Sequence, residues 1–565
     1  MAALEDILPA YGWLRTYKRS YLSSDLVSAL IVTAMLVPQG MAYALLAGLP
    51  TIYGLYASTI PAIVYALFGT SRHMPVGPPA LMALLTFTSI SAIAEPGSAE
   101  YISLALLLAL IVGLLQLAIG LLKMGFVANF IPHPVLSGFI YASAIIIMLS
   151  QVNYLLGIPV STHGSTISTV LEIGRRIGET NLLILAVGLG SIMALVFFAK
   201  VLPRLPGALI VVAGSTLVVY LLGLDERGVD IVGNVPRGLP DLSVPTLDLE
   251  SIRTLLPPAL VVAFVGFVES VSVGKAVAAR EKYKIDSNQE LRALGLANVS
   301  AAFFSGFPVA GSFSRTAVQY QSGGRTQLAS IATALLILAT LLFLTPLFYY
   351  LPNAALAAVI VVAVYRLLDL KEARRIFKIR TIDGLTLLLT FAVTLLVGVE
   401  QGIVTGSVFA LVMFIRRTAY PHIAELGYVE GKEAFLSLES YPEGKTHPQA
   451  LIIRFDASFY YANVSYLEEW LIKEVADRPN LQWIIIDCRG VNSIDVTAIE
   501  GLEDLVSEYR SSGIEIVFTH MRLAIRKRLK KAGWDEKFQF ADTRHYQTTR
   551  EALKAIGLLE SWQSS

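Results

Sequence analysis

FFSGFPVAGSFSRTAVQYQSG, residues 303–323, decides how the rest of the chain is read. The stretch lies among long apolar runs, yet it makes a poor membrane helix. Gly306, Pro308 and Gly311 break any helix in its first half, since glycine loses the most backbone entropy and proline has no N–H. A helix can begin only near Ser312, a residue type that favours the N-cap, and Arg315 then falls in the first turn. A helix that starts inside a bilayer leaves its first N–H groups without partners. Lipid cannot satisfy them, so such backbone is buried in protein or lines a wet cavity. Its positive end would face that cavity, which suits an anion. Ser314 adds a hydroxyl and Arg315 a fixed charge. The plainer alternative is a packed, kinked helix with Arg315 reaching to the interface.

Composition sets the surroundings of this stretch. The chain has 565 residues, 55% hydrophobic and 15% charged, with a mean hydropathy of +0.63. That is too apolar for a soluble protein of this length, and it demands many spanning helices. A net charge of +1 gives no reason to expect nucleic acid. Cys488 is the only cysteine, which excludes an internal disulfide and a zinc cluster and fits packing in a strand. Residues 1–24 carry Arg15, Lys18 and Arg19 and lack an apolar core. They read as a cytoplasmic amphipathic segment on the inner membrane surface, not as a signal peptide.

Apolar segments follow at about 25–47, 51–68, 78–94, 101–122, 130–154, 181–200 and 206–224. A second set lies at about 255–279, 291–305, 312–322, 326–350, 352–368, 381–398 and 400–417. Several are shorter than the roughly 20 residues a full span needs. Residues 25–423 are therefore a transmembrane domain of fourteen segments, in repeats of about 25–224 and 255–420. Seven is odd, so the two halves have inverted topology. Connections placed inside carry Arg72, Lys123, Lys200, Arg204, Arg280, Lys282, Lys284 and Arg292, and 366–380 is densely basic, whereas 223–252 is mostly acidic. The positive-inside rule then puts both termini in the cytoplasm of a multi-pass cell-membrane protein.

The halves correspond locally. TSRHMPVGPPALMALL at 70–85 repeats the design of the opening stretch, with Gly77, Pro78 and Pro79 delaying the helix and proline favoured at its start. Two half-helices would begin near the midplane with converging N-termini, the arrangement that marks a transport site. The alternative is two kinks with nothing between them. Gln39 and Glu269 occupy similar places in the first segments of their halves.

From about 424 to 565 charge rises and the apolar runs shorten. LIIRF at 451–455, WIIIDC at 483–488 and IEIVF at 514–518 read as strands. Val464–Val475, Ala498–Arg510, Arg522–Lys531 and Arg544–Ile556 read as helices. Strands spaced by helices imply a parallel-type α/β sheet.

GSFSRTAVQ at 311–319 resembles the tenth-helix signature of the SulP anion transporters. VPQGMAYALLAGLPTIYGLYAS at 37–58 is similar to their first-to-second helix signature, and the stretches at 70–81 and 266–278 add to the match. DCRGVNSIDVTAIEGL at 487–502 resembles the strand-loop-helix signature of the STAS domain these transporters carry in the cytoplasm. The resemblance covers about residues 9–560. It implies fourteen segments in two inverted repeats, split into core and gate subdomains, a STAS domain and a homodimer. In that picture segments 1–4 and 8–11 slide against the rest, with the substrate held between the third and tenth. Pro79, Ser314 and Arg315 are carried over as anion contacts, Gln39 as a first-segment contact, and Glu269 as the proton site. Tyr43 beside Gln39 and Ala80 beside Pro79 join the candidate binding residues, and Ser312 is either a cap or a ligand contact. Position 79 departs from the animal members, which often place an aromatic there. Where some STAS proteins are phosphorylated on a serine, this chain has Thr497, a candidate regulatory site or simply a helix cap.

Glu269 is an acid inside an apolar span, a placement that costs about 2.5–3.5 kcal/mol on insertion scales. Such a group is paired or titrating, and the alternative here is a static ion pair with Arg315. Two helix N-termini supply roughly half a charge each and Arg315 one, making about +2. A sulfate dianion matches that if Glu269 holds a proton, and ionised Glu269 would suit a monovalent anion with Na⁺. Gln39 is either an oxyanion contact or interhelical glue. GKT at 444–446 lacks the earlier P-loop glycine, position 439 being Glu, so no ATPase follows. No enzyme signature appears, and no resident cofactor is expected. Gly398, Gly402 and Gly406 form a small-residue ladder that packs within the fold or against a second subunit. The reading is a secondary active anion transporter performing proton-coupled sulfate uptake. Na⁺-coupled bicarbonate uptake, proton-coupled dicarboxylate transport, an anion channel or membrane motor, and a sensor whose STAS domain binds a soluble regulator are the alternatives.

Overall fold

Apolar runs interrupted by proline and glycine become helices interrupted at the same residues. A computed structural model describes residues 8–130, 132–160, 166–202, 205–539 and 545–560, so Arg204, Arg544 and the first residues of the N-terminal segment lie outside the described residues. The chain divides into two compact units, Met1–Ala410 and Leu411–Ser565. A short helix α1 (Ala10–Arg15) comes first. The first repeat holds α2 (Arg19–Leu46), α3 (Ile52–Tyr56), α4 (Ile60–Phe68), β1 (Val76–Gly77), α5 (Ala80–Ile90), α6 (Ala99–Leu121), α7 (His133–Ser150), α8 (Val152–Leu156), α9 (Thr166–Arg176), α10 (Leu182–Val201) and α11 (Gly207–Leu222). The second holds α12 (Leu249–Glu281), α13 (Ser287–Phe303), β2 (Ala310–Gly311), α14 (Phe313–Gln321), α15 (Leu328–Phe343), α16 (Asn353–Tyr365), α17 (Leu370–Ile379), α18 (Thr381–Leu396) and α19 (Val399–Ala419).

All fourteen expected segments are helical. Among the described residues, seven helices are long and apolar enough to cross a membrane. The others are shorter, the half-helices α5 with 11 residues and α14 with nine among them. Sequence reading missed α9 and α17, which occupy matching places between the fifth and sixth segments of their repeats. Their mixed polarity, for example LKEARRIFKI at 370–379, hides them from a search for apolar runs. Helices α10 and α19 expose most of their apolar side chains, Met193 at 66% and Phe414 at 64% among them, a surface that lipid or a partner must cover.

Helix α6 packs along α13, and α7 along α18, so the first four segments of each repeat interleave and the last three do likewise. One buried amide ties the first group together. Asn298 Oδ1 accepts from Val309 N at 2.8 Å, while Nδ2 donates to Gln116 Oε1 at 3.0 Å and to the carbonyl oxygens of Leu294 and Val309. Gln116 Nε2 in turn donates to Ala263 O at 2.9 Å. Replacing Asn298 by Leu strands the Val309 N–H and the Gln116 oxygen, and is expected to cost about 3 kcal/mol. Thermal unfolding of the purified variant should show a lowered midpoint.

Close helix crossings need glycine at two places. A Cβ on Gly54 would strike Gly40 O, so the first two segments meet backbone to backbone. The ladder near the last segments packs within the fold: a Cβ on Gly402 or Gly406 would strike Thr394 Oγ1 or Thr390 Oγ1.

In the second unit, β3 (Ile423–Val429), β4 (Ala434–Ser437), β5 (Ala450–Phe455), β6 (Trp483–Asp487), β7 (Glu515–Thr519) and β8 (His545–Tyr546) form a sheet of order β4-β3-β5-β6-β7-β8. Its helices are α20 (Val464–Ala476), α21 (Val496–Ser511), α22 (Leu523–Lys531), α23 (Trp534–Phe538) and α24 (Thr549–Ala555). The pairs β5–β6, β6–β7 and β7–β8 are parallel, but β3 runs antiparallel to both β4 and β5. The sheet is therefore mixed, not wholly parallel, because an N-terminal hairpin joins its edge. Cys488 follows β6 fully buried, and burial pushes its thiol up and out of the reactive range.

His422 stands just before β3 with Nδ1 3.0 Å from Asp456 and Nε2 3.0 Å from Glu439. The bond to Asp456 raises the imidazole above its ordinary value. Partial burial pushes the Asp456 carboxyl up, but bonds from Arg454 and His422 outweigh it and hold it below the usual range. A raised histidine stabilises below its unfolded pKa and loses that as pH rises through the folded one, while a depressed aspartate does the opposite on the acid side. The clasp is thus complete between about pH 4 and 6.5. Raising the pH from about 6 to 8 should lower the melting midpoint of this unit slightly, and His422→Gln should flatten that dependence.

Candidate functional site

The two half-helices start where the sequence breaks them. β1 and β2 pair antiparallel, Val76 with Gly311 and Gly77 with Ala310, so two extended dipeptides cross at the point where α5 and α14 begin. Pro79 stands at the N-cap of α5 and Ser312 at that of α14, both extended. Ala83 N closes the first turn on Pro79 O, and Thr316 N on Ser312 O. The backbone N–H groups of Ala80, Leu81 and Met82, and of Phe313, Ser314 and Arg315, have no acceptor among the described residues. Ser312 does not cap with its side chain. Its hydroxyl lies 3.1 Å from that of Ser314, so both hydroxyls gather at the helix start.

Arg315 does not reach for the interface. Fully buried, it turns back into the crossover, where Nη1 donates to Pro78 O at 2.7 Å and Nη2 to Gly77 O at 3.0 Å and Ala310 O at 3.2 Å. The guanidinium staples the two strands together, its charge set beneath both N-termini, while Nε remains buried without a partner. This binding of three carbonyls from both repeats is absent from any reading of the sequence.

Glu269 sits on α12, next to Ser270, whose hydroxyl accepts from Gly311 N at 2.8 Å and so docks that helix on the crossover. Glu269 makes no hydrogen bond and no ion pair within 4.0 Å among the described residues, and its Oε2 is buried. The static ion pair with Arg315 is thus not made, although Tyr43, Glu269 and Arg315 lie within electrostatic reach of one another. Gln39 follows Pro38 inside α2, buried, with Oε1 unpartnered. Thr316 Oγ1 and Gln319 Nε2, on the buried face of α14, are also unpartnered. Such a concentration of buried polar atoms without partners marks room for water, ions or a ligand.

On the other face of α14, Phe313, Ser314 and Ala317 are exposed. The same stripe continues through Val318 and Gln321 into a cavity of about 360 Å³, lined also by Gln39, Met35, Phe198 and Arg366. The structure therefore brings Pro79, Ala80, Ser312, Ser314 and Arg315 to one crossover, with Tyr43 and Glu269 in electrostatic reach of Arg315, while Gln39 lines the cavity and Arg315 does not.

Comparison with known proteins now decides the family. Residues 22–390 match the family model described as the Sulfate permease family, and 441–552 match the STAS domain. The chain belongs to the sulfate permease family. The protein named Sulfate transporter 4.1, chloroplastic, of Arabidopsis thaliana is 36% identical over 94% of this chain and 80% of its own length. Human Solute carrier family 26 member 6 is 36% identical over 83% of this chain and 65% of its own. The structure of murine Solute Carrier 26 family member A9, an anion transporter in the inward-facing state, superposes with a TM-score of 0.90 at 25% identity, covering 98% of this chain and 95% of that one. This sulfate permease family member is thus a membrane transporter with a STAS domain and not an enzyme.

In the STAS unit Asp495 caps α21, its Oδ1 accepting from Ala498 N at 2.8 Å. Thr497 is the second residue of that helix and is exposed, so it does not serve as the cap.

Proposed function

We propose that the protein takes up sulfate together with a proton by alternating access, the core sliding against the gate. The observation that carries this reading is the isolated Glu269 carboxyl beside a guanidinium already committed to backbone carbonyls. An acid so placed has no fixed partner and titrates with the occupancy of the site. The free N–H groups of α5 and α14 and the Ser312 and Ser314 hydroxyls would donate to an oxyanion held there. Two helix N-termini and Arg315 give about +2, which a dianion and a protonated Glu269 leave near zero. The names of the plant relatives point to sulfate.

In this reading Pro79, Ala80, Ser312 and Ser314 border the anion, Gln39 and Tyr43 contact it from α2, and Arg315 acts through its field. H⁺ is the coupling ion, and no resident cofactor takes part. The basic ends of the segments lie inside, which puts both termini in the cytoplasm of a cell-membrane homodimer. Thr497, exposed at a helix start, is where a phosphate would be received and a soluble regulator would read it. The test is labelled-sulfate uptake into liposomes with and without an inward proton gradient. Uptake that needs the gradient supports the reading. No sulfate uptake under any gradient overturns it, and uptake of bicarbonate or a dicarboxylate with Na⁺ would replace it.

A further inference from the structure

A second cavity, of about 300 Å³, lies away from the crossover, where α5, α7 and α18 end and α19 begins. Its polar lining differs in kind from the anion site. The carbonyls of Thr394, Leu395, Leu396 and Val397, at the end of α18, receive no backbone N–H among the described bonds, because Val397 N and Gly398 N both turn to Val393 O. Gln151 is 1% exposed, and with Nε2 given to Ser150 Oγ its Oε1 is left without a partner. Thr394 Oγ1 is likewise buried and unpartnered. Glu400, the second residue of α19, supplies one carboxyl.

Each of these groups offers an oxygen that can accept, and the end of α18 adds negative potential, opposed by the N-termini of α9 and α19 in the same wall. We propose that this cavity binds a small monovalent metal cation of the Na⁺ class, held by Glu400, the Gln151 and Thr394 side chains and the end of α18. Oxygen ligands select hard cations. One carboxylate matches a single positive charge, where Ca²⁺ sites commonly use several. No group of three His, Cys, Asp or Glu is found among the described residues, which fits neither zinc nor copper. The cavity wall is shared: Leu45, Leu46, Leu84, Phe87 and Thr88 come from segments 1 and 3, and the rest from segments 5, 13 and 14 with the links beside them. A cation there bridges the two groups of segments and holds them together.

The experiment uses the full chain in lipid nanodiscs, without sulfate, at constant chloride. Binding of ²²Na⁺ is measured against choline, with the melting midpoint in NaCl and choline chloride as a second readout. Saturable binding and a higher midpoint in Na⁺, both lost in Glu400→Gln and weakened in Gln151→Leu but kept in Glu269→Gln, are expected. The same midpoint in both salts with no saturable ²²Na⁺ binding to the unsubstituted protein overturns the proposal. So does binding that survives Glu400→Gln and vanishes in Glu269→Gln, which would move the cation to the crossover. Keeping sulfate out of the assay separates this result from the fate of the sulfate reading.

Discussion

Glu269→Gln is expected to abolish proton-driven sulfate accumulation while sparing sulfate exchange. The amide copies the shape of a neutral carboxyl but cannot release a proton. If the anion binds only when this position is neutral, the variant remains competent to bind and to move with its load. What it loses is the link to the gradient. With the membrane potential clamped, about two pH units are worth about 2.7 kcal/mol per proton, about a hundredfold in concentration. The unsubstituted protein should accumulate labelled sulfate under that gradient, and the variant should only equilibrate it. Exchange of internal for external sulfate should stay within about threefold, since that cycle needs no net protonation change. Loss of exchange together with uptake would assign Glu269 to binding or folding, not to coupling.

Arg315→Lys is expected to lower transport at least about a hundredfold, an effect of more than 2.7 kcal/mol on the carrying state. Arginine reaches Gly77 O, Pro78 O and Ala310 O with two nitrogens held in one plane. The single ammonium of lysine cannot hold all three from a shorter stem. Arg315→Ala goes further and leaves three buried carbonyls unsatisfied, so about 3–5 kcal/mol of stability should be lost. Transport assays together with thermal unfolding separate the two effects: Lys should fail mainly in the first and Ala in both. A small effect of either substitution would mean that the crossover holds and transports without the Arg315 staple.

The crossover is half legible in the sequence, and the reason is physical. Gly77, Pro78 and Pro79, and Gly306, Pro308 and Gly311, forbid helix by their own backbone chemistry, so the starts of α5 and α14 follow from local residues. The partners of Arg315 do not. Two of the three lie 237 and 238 positions away in the other repeat, and a pairing of two residues per strand has no alternation to read. The Asn298–Gln116–Ala263 chain is hidden for the same reason, since an amide in an apolar helix announces a bond but not its partner. Among the segments, apolar runs disclose all fourteen, whereas α9 and α17 need charge to lie at an interface and so look like loops. In the STAS unit the parallel core follows from LIIRF, WIIIDC and IEIVF. The β3–β4 hairpin escapes because Glu425 and Gly427 dilute the first strand and the second has four residues.

Sulfate-driven proton movement tests the central claim most directly. Liposomes carrying the protein and an internal pH indicator, with equal pH on both sides and the potential clamped, receive external sulfate. The account predicts internal acidification in step with labelled sulfate entry, absent when Gln replaces Glu269. Sulfate entry at full rate with no change of internal pH would contradict it.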